Sequence, residues 1–151
     1  MSDFNNVNEI LDLAIAAEQE AFEFYSQLAA QSKNEAMKAV FEQFAGEEKG
    51  HKSKLLHIKE TGHYNLGTEK ITDLKIADYT VEVTAKPDMS YQEALILAMK
   101  KEKAAFRLYM DLSEKAPNAE MKNLFLALAQ EESKHKLRFE IEYDDVILRE
   151  N

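Results

Sequence analysis

The chain has 151 residues, enough for one domain with a substantial core, and it contains no cysteine, which excludes disulfides, thiol catalysis, iron–sulfur clusters and thiolate metal sites. A net charge of −9 argues against a nucleic-acid-binding or anionic-membrane surface. Charged residues make up 31% and apolar residues 45%, with only four Gly and two Pro, a balance that suits long uninterrupted helices better than turn-rich β structure.

The first residues lack the basic and apolar regions of a signal peptide, and no apolar run approaches membrane-spanning length. The expectation is a cytoplasmic protein that binds neither membrane nor nucleic acid. A first helix is expected from Asn6, an N-cap with Glu9 three residues on. Its stripe of Leu11, Ala14, Glu18, Phe22, Tyr25 and Leu28 steps by three and four residues and so lies on one face. Glu18 is the one charged group on it.

Ser32, Lys33 and Asn34 break the pattern, and Asn34 is expected to cap a second helix. That helix carries Met37, Val40, Phe41, Phe44, Glu48, His51, Leu55 and Ile58, and it is expected to stop near Thr61 and Gly62. So short a connection implies an antiparallel pair. Residues 62–89 differ. Thr80 to Thr84 alternate like a strand, and Lys86, Pro87 and Asp88 form a turn signal. A connection this long makes sense as a crossover running the length of a helical bundle.

Ser90 with Glu93 forms a capping box for a third helix, with the stripe Leu95, Ala98, Glu102, Phe106, Tyr109 and Leu112. Pro117 and Asn118 close the next connection. The fourth helix carries Met121, Leu124, Phe125, Leu128, Glu132, His135 and Phe139, and continues through Tyr143 and Val146. The acidic stretch from Glu140 to Glu150, like residues 63–89, is a candidate partner surface.

The halves align without a gap from Leu11 on Leu95 to Leu55 on Phe139, and 17 of these 45 pairs are identical. Glu18 and Glu102, Glu48 and Glu132, and His51 and His135 each lie 84 residues apart. Duplication of a helical hairpin explains this. One hairpin cannot bury its own stripe, but two make a four-helix bundle. The fold expected is all-α: a single domain over residues 1–151, with repeats at about 7–61 and 90–146 and a crossover at about 62–89.

Residues three apart on a helix lie about 60° apart around the axis and roughly one turn along it. Glu48 with His51, and Glu132 with His135, can therefore each reach one metal ion. A lone Glu-x-x-His is usually solvated helix surface. Two copies in a duplicated frame, with Glu18 and Glu102 at matching places on the partner helices, form a dinuclear ligand set. Glu48 and Glu132 are expected to bridge, and Glu18 and Glu102 to be terminal ligands. Oxygen and nitrogen ligation without thiolate suits iron or manganese. Two iron ions are favoured because a carboxylate-bridged pair can cycle two electrons; manganese or zinc are possible substitutes.

Tyr25 and Tyr109 lie seven residues after Glu18 and Glu102, two turns along the same face. Each hydroxyl either reaches a ligand carboxylate across the bundle or is an ordinary core group satisfied elsewhere. Glu47 and Glu131 either accept from a ligand imidazole or are exposed helical acids, the second being the commoner case. His57 and His63 have no repeat counterpart and are expected on the surface.

These residues resemble the rubrerythrin family of the ferritin-like superfamily. The match is carried by Glu18 to Tyr25, Glu47-Glu48-Lys49-Gly50-His51, Glu102 to Tyr109 and Glu131-Glu132-Ser133-Lys134-His135. The resemblance implies a homodimeric di-iron protein that reduces hydrogen peroxide or dioxygen in oxidative-stress defence. Two departures stand out. With no cysteine here, no rubredoxin domain is expected, and electrons are expected from a separate donor protein such as a rubredoxin. Typical rubrerythrins also have a further Glu where Ala105 stands here, which leaves a set of four Glu and two His closer to a bacterioferritin ferroxidase centre. A ferroxidase or iron-handling protein, or a partner-binding bundle with a relic site, are the alternative readings.

Overall fold

In a computed structural model, residues 7–61, 89–116 and 118–150 are described. They form four helices: α1 (Val7–Gln31), α2 (Glu35–Thr61), α3 (Tyr91–Glu114) and α4 (Ala119–Glu150). No strand occurs among the described residues. The Asn6 cap, Gly62, His63, the alternating segment at Thr80–Thr84, the turn at Lys86–Asp88, all of the crossover but Met89, and Pro117 lie outside them.

The helix boundaries follow from local chemistry. Asn34 Oδ1 accepts from the Met37 amide at 3.1 Å. Its repeat counterpart Asn118 accepts from Met121 at 2.8 Å. At the start of α3, Ser90 and Glu93 exchange two bonds of 3.1 Å each in a reciprocal cap. Each satisfies amides that a helix's first turn leaves without partners, for about 1 kcal/mol.

α1 lies along α2, α3 along α4, and α1 meets α3, so the two hairpins close into a four-helix bundle. The apolar stripes merge into two core clusters, one toward each end. One holds Tyr25, Phe41, Phe44, Leu95 and Phe139. The other holds Leu11, Leu55, Tyr109, Leu112 and Phe125. Full burial of such side chains stabilises by roughly 1.5–3 kcal/mol each. Phe22 and Phe106 lie only half-buried at the edges of these clusters, although both fall on the apolar stripes.

The acidic end of α4 is not a free surface throughout. Tyr91 donates to Glu142 Oε2 at 2.9 Å, and Val146 joins the core. Among the described residues, no helix is long and apolar enough to cross a membrane.

Candidate metal centre

Between the two core clusters the apolar stripes are interrupted by six ionisable residues. Glu18, Glu48, Glu102 and Glu132 are 1–2% exposed, and His51 and His135 are also buried. They form two overlapping groups: Glu18, Glu48, His51 and Glu132, and Glu48, Glu102, Glu132 and His135. In each group the candidate ligand atoms lie within 4.8 Å of one another. Glu48 and Glu132 are common to both. The sharing is a consequence of duplication: each Glu-x-x-His helix contributes its imidazole to one group and its carboxylate to both.

His51 Nδ1 stands 3.2 Å from Glu132 Oε1, 3.5 Å from Glu18 Oε2 and 3.6 Å from Glu48 Oε1. His135 Nδ1 stands 3.3 Å from Glu48 Oε1 and 3.5 Å from Glu102 Oε1. These are convergences rather than hydrogen bonds. Among the described residues, the buried side-chain atoms without a hydrogen-bond partner are Glu18 Oε2, Glu48 Oε1, Glu102 Oε2, both Glu132 oxygens and Nδ1 of each imidazole, so every one of them belongs to this cluster. Buried polar atoms are ordinarily satisfied. Orphaned carboxylate oxygens and ring nitrogens converging from four helices have the chemistry of a divalent-metal pair, which fits all six residues.

Without metal, the electrostatics favour extra protons. Burial pushes the Glu18 carboxyl up to about 8 and Glu48 up to about 7, the latter helped by its neighbour Glu132. Burial holds Glu102 and Glu132 well above the carboxylate range. Burial works against a charged His51, but Glu132, Glu18 and Glu48 outweigh it and raise the ring to about 10. Glu48, Glu132 and Glu47 do the same for His135, to about 9. The metal-free cluster thus holds protons that bound cations would displace.

Both tyrosines reach across the bundle. Tyr25 on α1 donates to Glu102 on α3, and Tyr109 on α3 donates to Glu18 on α1. Both phenols are fully buried, and burial and the adjacent carboxylates keep them protonated. Each hydroxyl orients one carboxylate of the other repeat.

The imidazoles are held differently. His135 Nε2 bonds Glu47 Oε1 at 2.9 Å, and its ring stacks on Phe44 at 3.9 Å between centroids and 18° between planes. Burial would raise the Glu47 pKa, but the bonds from His135 and Gln43 lower it. Glu47 is therefore not simply an exposed acid, and it serves the histidine of the other repeat. Its counterpart Glu131 lies 3.7 Å from Lys134 instead. The counterpart of Phe44 is Leu128, which cannot stack. This difference between repeats is visible in the sequence but carries no meaning until the helices are placed. His57 is exposed, as expected.

A rubrerythrin family profile matches residues 9–143. The chain belongs to the rubrerythrin family. A hypothetical protein from Pyrococcus furiosus is similar to it at 30% identity and TM-score 0.70, over 92% of this chain and 89% of that one. A Thermotoga maritima protein, provisionally described as a ferritin-like diiron-carboxylate protein, matches this rubrerythrin-family chain with TM-score 0.84 over 97% of it and 99% of its own length. Their identity is 20%, so that likeness bears on fold alone. Among curated proteins, none matches the chain.

Proposed function

We propose that this chain is a non-haem di-iron oxidoreductase that reduces hydrogen peroxide or dioxygen. The observation that carries the reading is the set of orphaned buried oxygens and ring nitrogens shared by two overlapping ligand groups. Family membership supports it. Glu18 and His51 would hold one iron, Glu102 and His135 the other, with Glu48 and Glu132 common to both. When bound, a ferrous pair supplies the two electrons that, with two protons, cleave the O–O bond of peroxide to give two waters.

The protein's own part is positional. Tyr25 and Tyr109 hold Glu102 and Glu18 in orientation, Glu47 fixes which nitrogen of His135 faces the centre, and the flanking aromatic clusters keep bulk water from the ends of the site. Return to the reduced state draws on a separate electron-donor protein, with a rubredoxin as the natural class. A cytoplasmic homodimer acting in oxidative-stress defence is part of the same reading.

One observation favours a second reading. Ala105 lines the cavity beside Glu102 and Glu18, so no further carboxylate reaches the centre from that position. A symmetric set of four Glu and two His also suits a ferroxidase, which oxidises Fe(II) and passes it on.

The experiment is anaerobic loading with two Fe(II) per chain, followed by stopped-flow absorbance against equimolar peroxide or dioxygen. Much faster reaction with peroxide supports the peroxidase. Faster reaction with dioxygen, with release of the oxidised iron, moves the assignment to ferroxidase. A Glu48→Ala chain that still bound two irons would refute the ligand set.

A further inference from the structure

A cavity of about 110 Å³ lies between α1 and α3, and all four central carboxylates line it. That volume includes the space bound metal ions would take, and at ~30 Å³ per water what remains admits only molecules of water or peroxide size. The recess between α2 and α4 is different. It touches His135 and Glu47 but none of the four central carboxylates.

The duplication should give the α1/α3 seam two equivalent halves, but it does not. The cavity wall extends to Leu13 and Leu108, whereas their repeat counterparts Leu97 and Phe24 are absent from it. The open half is framed by Ala17 on α1 and Ala104 on α3. Their counterparts Lys101 and Glu20, 84 residues away in each case, bound the same cavity on its other side. There the Lys101 ammonium lies 5.1 Å over the Phe24 ring and 3.9 Å from Glu20. The lysine stem is largely buried, with 15% of the side chain exposed. A long amphipathic arm therefore fills one half of the seam, where two methyl groups leave the other half open.

We propose that small neutral reactants reach the carboxylates through the half of the α1/α3 seam beside Ala17 and Ala104, and that Lys101, braced on Phe24 and Glu20, closes the equivalent half. The proposal deepens the di-iron reading and rests on it. It favours reactants of dioxygen or hydrogen peroxide size, because the cavity holds only about 110 Å³ and is lined on this side by Ala17 and Ala104.

The test uses nitric oxide as a neutral probe of dioxygen size, mixed anaerobically with the Fe(II)-loaded chain and followed by stopped-flow absorbance. The final amplitude reports the iron site, and the rate reports the route. Ala17→Leu with Ala104→Leu is expected to slow binding at least tenfold at unchanged amplitude. Adding Lys101→Ala to that pair is expected to restore most of the rate, an effect that general damage to the fold would not produce. Full amplitude at the wild-type rate in the double variant overturns the route, and a slow double variant that Lys101→Ala does not rescue overturns the role of Lys101. A wild-type chain with no bound iron and no amplitude removes the di-iron reading and the route together.

Discussion

Replacing Glu47 by Gln separates the two halves of the metal centre. Its carboxylate bonds His135 Nε2 at 2.9 Å, so the ring presents Nδ1 to the cluster. Loss of such a partner typically weakens metal binding 10–100-fold. Glu47 is about a third exposed, so solvent screens part of its charge. Gln also keeps the length of the side chain and one carbonyl acceptor. The expected loss is therefore at the lower end, about tenfold or ~1.4 kcal/mol. It should fall on one of the two metals, because His51 lacks this bond. Glu131→Gln is the internal control, since Glu131 faces Lys134 at 3.7 Å on the surface, and its effect should stay within about twofold. Cobalt(II) titration of metal-free protein against a competing chelator measures both. Weakening of a single binding step in Glu47→Gln, with both steps intact in Glu131→Gln, is the predicted pattern. Equal shifts in the two variants, or none in either, would refute the claim that Glu47 orients His135.

Tyr25→Phe and Tyr109→Phe each remove one bond to a buried carboxylate, so each should cost the metal-loaded protein roughly 1.5–3 kcal/mol in urea unfolding, and by similar amounts. Metal-free protein should lose thermal stability as pH rises. Glu18, Glu48, His51 and His135 all have raised folded-state pKa values, so the native state binds the extra protons. For the two carboxyls that contribution is complete below about pH 4.5, and it is lost as pH rises through about 7 and 8. For the two rings it is complete below about 6.5 and lost through about 9 and 10. Melting in chelator should show this decline, and metal affinity should rise over the same range because binding displaces protons. A flat profile would contradict the assigned shifts. Gly46→Ala and Gly50→Ala should each add about 0.5–1 kcal/mol by chemical denaturation, since nothing lies within 4 Å of the added methyl in either case.

Much of this molecule was legible in the sequence because its chemistry is periodic. Glu18, Glu48, Glu102 and Glu132 are conspicuous as acids on apolar stripes, and the repeat distance places them at one level of a bundle before any coordinates exist. Helix starts at Ser90 and after Asn34 were readable for the same reason: a cap is a local interaction between residues three apart. The crosswise bonds are of another kind. Tyr25 could have met its carboxylate or any other acceptor, and only the packing of α1 against α3 decides for Glu102. Glu47 shows the limit most clearly. Its place beside Glu48 left both a bond to an imidazole and an exposed acid open, and nothing in its own repeat decides between them, because its partner His135 comes from the other hairpin, 88 residues away.

The two hairpins are also unequal where it matters. Identity between the repeats is retained at the six candidate ligands and the two tyrosines, the positions that must be duplicated if two metals are to have matching donors. It is lost at Phe44 and Leu128, at Ala17 and Lys101, and at Glu20 and Ala104. These lie one layer out from the ligands. The first pair stacks on only one of the imidazoles, and the other two leave open only one half of the α1/α3 seam. A symmetric centre would meet a reactant from either side and would present two interchangeable metals to it. On the proposed reading, with the donors kept equal and their surroundings made different, a reactant would meet a bound pair from one direction, and the two metals would differ in how firmly their imidazoles are held. Symmetry thus sets the composition of the centre, and divergence in the surrounding layer sets its direction.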